Sequence, residues 1–167
     1  MRDSFTYTVS ATVEEAVAAY KTTEFFLATL KHAGAVTIEI LEERPLPGEG
    51  RYWKAKISES SRVPEFLRAS DLDIYINESA FNPPKRKLSW QIRPNFSSGR
   101  FSLTGNISLF EEGKDATRLV YDVTLDVKVP LIGSAAEAFG LRKIGEEFRS
   151  QAAFLEQWLN RKTRPDG

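Results

Sequence analysis

Residues 126–137 read DVKVPLIGSAAE, where an alternating stretch runs into a proline and then into a long segment of helical periodicity. Pro130 has no backbone amide to donate to a neighbouring strand, and Gly133 gives the chain freedom to turn. A strand is therefore predicted to stop at this junction, and a helix is predicted to begin directly after it.

The segment after the junction carries one continuous apolar stripe. Its members recur at intervals of three and four residues: Leu141, Ile144, Phe148, Ala152, Leu155 and Leu159. This spacing predicts an amphipathic helix of more than about six turns, long enough to cross a whole sheet. Gly140 and Gly145 lie inside it at a cost of roughly 1 kcal/mol each, which indicates a close approach or a bend.

Glu137 has two candidate roles at the start of this helix. Ser134 and Glu137 have the spacing of a capping box, with the serine as N-cap and the glutamate at the third helical position. A carboxylate there also favours the positive end of the helix dipole. Glu137 is, however, in phase with Leu141 and Phe148, so its side chain could face the space between the helix and the sheet. The cap is the preferred interpretation, because it needs only local geometry.

The N-terminal part of the chain predicts a strand and two short helices. Residues 4 to 9 alternate between polar and apolar side chains, as in a half-buried strand. Thr12 fits the N-cap of the first helix, and either Thr22 or Thr23 fits the N-cap of the second. Gly34 suits the left-handed position that ends a helix.

Six alternating segments follow from residue 35, separated by turn-rich pieces. The apolar members, which are expected to share one covered face, are Val36, Ile38 and Ile40; Trp53, Ala55 and Ile57; Leu72, Ile74 and Ile76; Leu88, Trp90 and Ile92; Phe101, Leu103, Ile107 and Leu109; and Leu119, Tyr121, Val123, Leu125 and Val127. Consecutive strands without intervening helices pair as an antiparallel meander. The predicted fold is α+β in the order β-α-α-β6-α, with a curved antiparallel sheet wrapped around the long C-terminal helix.

Length and composition favour a single cytoplasmic domain. With 167 residues, 41% of them hydrophobic, the chain is expected to form one domain over 1–167, with an ordered core at 3–161. The 23 basic and 23 acidic residues leave no net charge to attract nucleic acid. The chain has no cysteine, no signal-peptide pattern and no apolar run of about 18 residues, so we expect a cytoplasmic location without stable membrane insertion.

Two stretches carry a resemblance to a known superfamily. These are FTYTVSATVEEAVAAY at residues 5–20 and VKVPLIGSAAEAF at residues 127–139. Together with the element order, they resemble the START-like (SRPBCC), helix-grip superfamily, which includes polyketide cyclases, pollen-allergen-like proteins and lipid-transfer domains. The likeness is greatest to an actinobacterial branch of unknown function. The superfamily hosts many activities, so the resemblance indicates the fold far more than the function.

The resemblance implies a cavity between the sheet and the long helix, which would suit a hydrophobic guest. The side chains expected to line it are Trp53, Ile74, Trp90, Phe101, Leu103, Tyr121, Glu137, Leu141, Ile144 and Phe148. The alternative is that the apolar members simply fill the interior as core. A buried Glu137 would need a partner, either Arg51 or a polar head group of the guest.

Patterns for catalysis are nearly absent from the sequence. The one histidine, His32, lies in the last turn of a predicted helix, where its imidazole suits the helix dipole. It lacks the partners that a serine triad or a zinc site would need. We therefore assign no catalytic residue, no metal ligand and no cofactor.

Three functions remain open at this point. The first is binding or transport of a hydrophobic small molecule or lipid in the internal cavity. The second is a polyketide cyclase or aromatase-like enzyme, in which the cavity folds a poly-ketone chain and polar side chains move protons. The third is a non-catalytic interaction module, for example a homodimer, which exposed and clustered Phe110 and Trp158 would support.

Overall fold

The computed structural model describes residues 1–60, 72–94, 101–128 and 133–163. Its strands and helices, in chain order, are β1 (Arg2–Val9), α1 (Val13–Tyr20), α2 (Thr23–His32), β2 (Ala35–Leu46), β3 (Gly50–Ser60), β4 (Leu72–Asn82), β5 (Lys87–Pro94), β6 (Phe101–Glu112), β7 (Ala116–Val127) and α3 (Gly133–Thr163). This order confirms the predicted α+β fold with two short helices and six consecutive strands before the last helix.

One antiparallel sheet contains all seven strands. Its spatial order is β1-β7-β6-β5-β4-β3-β2, so the meander runs from β2 to β7 and the first strand then pairs with the last. Helix α3 packs against β7 and β1, while α2 packs against β2. The sheet therefore presents one face to the helices.

The two short helices begin at threonines, as the sequence predicts. Thr12 Oγ1 accepts a hydrogen bond from the Glu15 amide at 3.1 Å, and Thr22 Oγ1 accepts one from the Phe25 amide at 3.1 Å. Thr22 is thus the N-cap of α2. Thr23, the other candidate, instead accepts a hydrogen bond from the Trp53 indole, which fixes that ring.

The side-chain parity of β4 is opposite to the sequence prediction. Trp53 pairs with Ser79 and Ala55 pairs with Asn77, and residues directly opposite each other on paired strands share a face. Because Trp53 and Ala55 are buried under the helices, their β4 partners face the same way. Leu72, Ile74 and Ile76 consequently lie on the outer face of the sheet, and their assignment to the covered face is corrected.

Helix α3 approaches the sheet closely at its two glycines. A Cβ atom on Gly145 would lie 2.5 Å from the ring of Phe5, and one on Gly140 would lie 2.7 Å from a methyl group of Leu125. The predicted close approach is therefore present at both positions. The junction residue Pro130, which was expected to end the strand, lies outside the described residues.

The aromatic side chains that could have marked a surface for another protein do not share one exposed site. Trp158 is half-buried and packs against Phe25 and Phe154 with ring centroids 5.6 and 6.1 Å away. Phe110 is exposed, and the guanidinium of Arg118 lies over its ring. Exposed aromatic clustering of Phe110 with Trp158 is therefore absent.

Candidate functional site

A cavity of about 620 Å³ lies between the covered face of the sheet and helices α2 and α3. Strands β3 to β7 contribute to the sheet side of it, and α2 and the first half of α3 contribute to the helix side. Its aromatic wall includes Phe25, Phe26, Trp53, Trp90 and Phe148, and its aliphatic wall includes Leu88, Ile92, Leu103, Ile107, Leu125 and Ile144.

Contacts among the aromatic rings hold this wall in place. Phe26 of α2 stacks on Trp53 with ring centroids 4.8 Å apart, and the Trp53 indole donates to Thr23 Oγ1 at 3.0 Å. Trp90 meets Phe148 edge to face at 6.1 Å. Gly105 makes room for the Trp90 ring, because a Cβ atom there would lie 2.5 Å from it. These contacts fix the shape of the wall without filling the space in front of it.

Polar groups occupy a smaller part of the lining. Asn77 and Ser79 are buried on β4, and Ser79 Oγ donates to Asn77 Oδ1 at 2.7 Å. Thr29 Oγ1 is buried in the lining and has no hydrogen-bond partner in the described part of the chain. The charged side chains of the lining are Glu59, Asp73, Lys143 and Glu147.

Tyrosine side chains form a cluster at the α1 end of the cavity. Tyr20, the last residue of α1, lines the cavity and lies beside the buried Tyr121. Burial raises the pKa of the Tyr20 hydroxyl above its usual range. Burial, followed by the neighbouring Tyr20 and Tyr7 hydroxyls, raises the pKa of Tyr121 well above its usual range. Tyr20 and Tyr121 therefore stay protonated at neutral pH.

The structure brings together half of the site residues that the sequence predicts. Those that line the cavity are Trp53, Trp90, Leu103, Ile144 and Phe148. Tyr121 and Leu141 are buried in the core next to the cavity, not in its lining. Ile74 faces outward from β4, and the side chain of Phe101 lies outside the described part of the chain.

Glu137 neither caps α3 nor enters the cavity. Helix α3 already includes Gly133, so Ser134 is inside the helix and is not its N-cap. Glu137 Oε1 accepts from the Val127 amide at 3.2 Å, and Oε2 lies 3.2 Å from the amino group of Met1. The Val127 hydrogen bond, with the Met1 ammonium as the next cause, holds the pKa of Glu137 below its usual range. The predicted cap and the predicted place in the cavity lining are therefore wrong, whereas the helical phase does direct Glu137 toward the sheet.

The suggested partner of Glu137 is also engaged elsewhere. Arg51 Nη1 donates to Glu43 Oε1 at 2.9 Å, on the edge of the sheet formed by β2 and β3. An ion pair between Arg51 and Glu137 is thus absent. Neither residue lines the cavity.

Helix α2 supplies lining residues that the sequence prediction omitted. Phe26 and Leu30 lie on one side of this short helix, Ala33 follows as its C-cap, and all three line the cavity. Their spacing of four and three residues was visible in the sequence, but the predicted lining was drawn only from the strands and the C-terminal helix. Tyr20, Leu88 and Ile92 were likewise outside the predicted set.

His32 of α2 contacts helix α3. Its Nε2 atom lies 2.8 Å from Ser150 Oγ of α3, and its ring stacks on Phe154 with centroids 4.5 Å apart. In the described ranges, no group of three or more His, Asp and Glu side chains is arranged to hold a metal ion. Likewise, no helix in those ranges is both long and apolar enough to cross a membrane.

Comparisons with known proteins bear on both the family and the fold. A family model described as "Protein of unknown function (DUF2505)" matches residues 4–159. No curated protein sequence matches the chain at a significant level.

Several solved structures share the fold. One is the Zhui aromatase/cyclase from Streptomyces sp. R1128, at 15% identity and a TM-score of 0.69, with 100% of this chain and 98% of that chain covered. Another is a START superfamily protein from Mycobacterium smegmatis, at 15% identity and a TM-score of 0.64, with 94% of this chain and 98% of that chain covered. A third is norcoclaurine synthase from Thalictrum flavum in complex with dopamine and hydroxybenzaldehyde. Its identity is 12% and its TM-score is 0.66, with 94% of this chain and 87% of that chain covered. These matches confirm the predicted helix-grip fold.

Proposed function

The chain belongs to the family described as "Protein of unknown function (DUF2505)", and from that premise we propose that it binds a hydrophobic small molecule or lipid inside the cavity. The observation that supports this proposal is the cavity itself, which has a volume of about 620 Å³ and a mainly aromatic and aliphatic lining. This volume is within the range of roughly 300–1,000 Å³ that small-molecule sites occupy. Apolar burial supplies the affinity, at about 0.8 kcal/mol for each buried methylene of the guest.

Access to the cavity is proposed to lie where its lining meets solvent. Phe139 lines the cavity and is 56% exposed, and Lys143, one helical turn further along α3, is also exposed. The far wall, with Trp53 and the tyrosine cluster, is buried. A guest would therefore enter beside α3.

The test uses one substitution inside the cavity and one outside. Ile92→Trp places an indole in the cavity, whereas Arg93→Trp places the same group on the opposite face of the same strand. Titration with N-phenyl-1-naphthylamine, whose fluorescence rises in apolar surroundings, should show saturable binding to the unmodified protein. We expect Ile92→Trp to weaken binding at least tenfold, which is roughly 1.4 kcal/mol, and Arg93→Trp to leave it unchanged.

Three outcomes would contradict the proposal. The first is the absence of saturable probe binding to the unmodified protein, and the second is equal weakening by the two tryptophan variants. A folding control, the near-ultraviolet circular dichroism of each variant, separates a blocked cavity from a disrupted one. The third outcome is the absence of a bound guest in native mass spectrometry. The protein purified from its own host should show an extra mass, and a spectrum with the mass of the chain alone would count against a resident guest.

The polar groups in the lining favour an aromatase or cyclase as a second candidate. Asn77 and Ser79 lie on the sheet side of the cavity, and Lys143 and Glu147 lie on the helix side. A flexible poly-ketone between them would have hydrogen-bonding and proton-transfer groups on both sides. Incubation with a synthetic poly-β-ketone should then yield a cyclised aromatic product. Binding of the poly-ketone without any product would favour the carrier.

We also propose that residues 1–167 form one ligand-binding domain that works in the cytoplasm. The family match covers 4–159, and a sequence of 167 residues without cysteine fits a reducing compartment. The balance of 23 basic and 23 acidic residues fits a small-molecule guest better than a nucleic acid. Recovery of the protein from the exported or membrane fraction of its host would contradict this location.

A further inference from the structure

The hydroxyl group of Tyr121 is buried without a partner. Tyr121 is 1% exposed, and its hydroxyl oxygen has no hydrogen-bond partner in the described part of the chain. A buried hydroxyl left in this condition costs about 1–3 kcal/mol of stability. Native proteins rarely keep such a group without a use for it.

The rings around Tyr121 hold its hydroxyl in a fixed direction. Its ring stacks on Phe148 at 4.5 Å and meets the ring of Tyr7 edge to face at 5.7 Å. Tyr7 is not available to it as a donor, because the Tyr7 hydroxyl donates to the Gly145 carbonyl at 2.8 Å. The Tyr20 hydroxyl is a further polar neighbour of the Tyr121 hydroxyl.

Tyr20 connects this buried hydroxyl to the cavity. It is 9% exposed and lines the cavity, and its ring is held between Phe25 at 5.2 Å and Phe81 at 5.6 Å. A small shift of either phenol would let Tyr121 donate to the Tyr20 oxygen while Tyr20 keeps its own proton for a guest. Such a chain polarises both hydroxyl groups and strengthens the outer hydrogen bond.

The tyrosine end of the cavity is remote from the Asp73 carboxylate. Phe81, which stacks on Tyr20, and the lining residue Asp73 both belong to β4, eight residues apart. At about 3.3 Å per strand residue this separates them by roughly 26 Å. Lys143, the one lysine in the described lining, belongs to the exposed side of α3. A carboxylate guest group would be an unpaired charge beside Tyr20.

We propose that Tyr20 and Tyr121 form a two-phenol site that holds a neutral carbonyl oxygen of the guest. The inference rests on the proposed function and names the class of its ligand: an apolar ketone or ester that enters with its carbonyl group first. Tyr121 donates to Tyr20, and Tyr20 donates to the carbonyl oxygen. Both hydroxyl groups are then satisfied only in the complex, which favours a carbonyl compound over a hydrocarbon of the same shape.

The experiment compares two guests of nearly identical shape. 2-Acetylnaphthalene carries the carbonyl oxygen, and 2-isopropenylnaphthalene has a methylene group in its place. Their dissociation constants are measured with the unmodified protein, with Tyr20→Phe and Tyr121→Phe, and with Tyr52→Phe as a control, since Tyr52 is on the outer side of β3 next to Trp53. The carbonyl stretching band of bound ¹³C-labelled ketone reports the hydrogen bond directly.

The expected result is a preference for the ketone of about tenfold, the size of one net hydrogen bond. This preference disappears in Tyr20→Phe, shrinks in Tyr121→Phe and persists in Tyr52→Phe, and the carbonyl band moves to higher frequency in the two cavity variants. Tyr121→Phe should melt no lower than the unmodified protein, because the hydroxyl it loses has no partner. Equal affinities for both guests would overturn the two-phenol site alone, whereas binding of neither guest would overturn the proposed function with it.

Discussion

Glu137 joins three parts of the chain through one carboxylate. It is near the start of α3, it accepts from the Val127 amide at the end of β7, and it lies 3.2 Å from the Met1 amino group next to β1. Met1 in turn donates to the Leu125 carbonyl at 2.8 Å. The residue therefore ties the start of the long helix to the two strands on which it lies, in place of the predicted cap.

The first prediction concerns this carboxylate and pH. The pKa of Glu137 is below its ordinary value of 4.5 in the folded chain, so its stabilising effect is complete above about that pH. The effect is lost as pH falls through the lower, folded-state pKa. Glu137→Gln should therefore lower the melting temperature at pH 6 to 7, and the difference from the unmodified protein should shrink as the pH falls below the ordinary value.

Glu146→Gln is the matched control for that substitution. Glu146 belongs to the same helix, is exposed and lies 3.6 Å from Lys143, a surface pair of little value to stability. Its melting curve should follow that of the unmodified protein at every pH. If the melting temperature of Glu137→Gln is lowered by the same amount at every pH, the side chain acts through packing and not through its charge.

At the scale of elements, the contact between α3 and β1 depends on a missing side chain. Gly145 is buried against Phe5, and its carbonyl accepts the Tyr7 hydroxyl from the same strand. Phe5 is itself held edge to face against Phe148 at 5.9 Å. Helix and strand therefore approach more closely than any residue with a Cβ atom would allow.

Gly145→Ala is consequently predicted to destabilise the protein although alanine is the better helix former. The helical preference is worth about 1 kcal/mol, and overpacking against a held ring costs about 1–3 kcal/mol. Thermal unfolding should show a lower melting temperature, by roughly 2–4 °C for each kcal/mol of net destabilisation in a chain of this size.

Two further variants test the cause of that loss. Gly140→Ala meets a single methyl group of Leu125, which can rotate away, so its melting temperature should hold or rise. Phe5→Leu combined with Gly145→Ala should recover part of the stability, because the smaller side chain leaves room for the new methyl group. Simple addition of the two single effects would contradict the contact.

Strand β4 shows why one face of a sheet is hard to assign from sequence. Ile74 and Ile76 alternate with Tyr75, Asn77 and Ser79, and hydrophobicity alone places the isoleucines inside. The pairing with β3 decides otherwise, because Ser79 lies opposite the buried Trp53. Register is defined by the pairing of two strands, so the sequence of β4 alone does not determine which of its side chains face the core.

For the whole molecule, the order of elements was largely available from sequence. The change of period at residues 126–137, the threonine cap at Thr12 and the alternating segments all describe local structure, and the structure agrees with them. The cavity was implied only by resemblance. Its walls depend on how far α2 and α3 are from the sheet, and that separation follows from tertiary contacts such as the stacking of Phe26 on Trp53.

The lining of the cavity was accordingly predicted in part. Trp90, Ile144 and Phe148 were found because strand and helix parity points them inward and α3 lies over them. Phe26 and Tyr20 were missed because the predicted lining was drawn only from the strands and the C-terminal helix. Those two helices in fact supply one wall and the tyrosine end of the cavity.

The most direct test of the central claim is an isotope-filtered NOE spectrum of labelled protein with unlabelled 2-acetylnaphthalene. If the cavity accepts an apolar guest, guest protons should show NOEs to the ring protons of Trp53, Trp90 and Phe148. NOEs confined to exposed rings such as Phe110, with the three cavity rings silent, would contradict binding between the sheet and the helices.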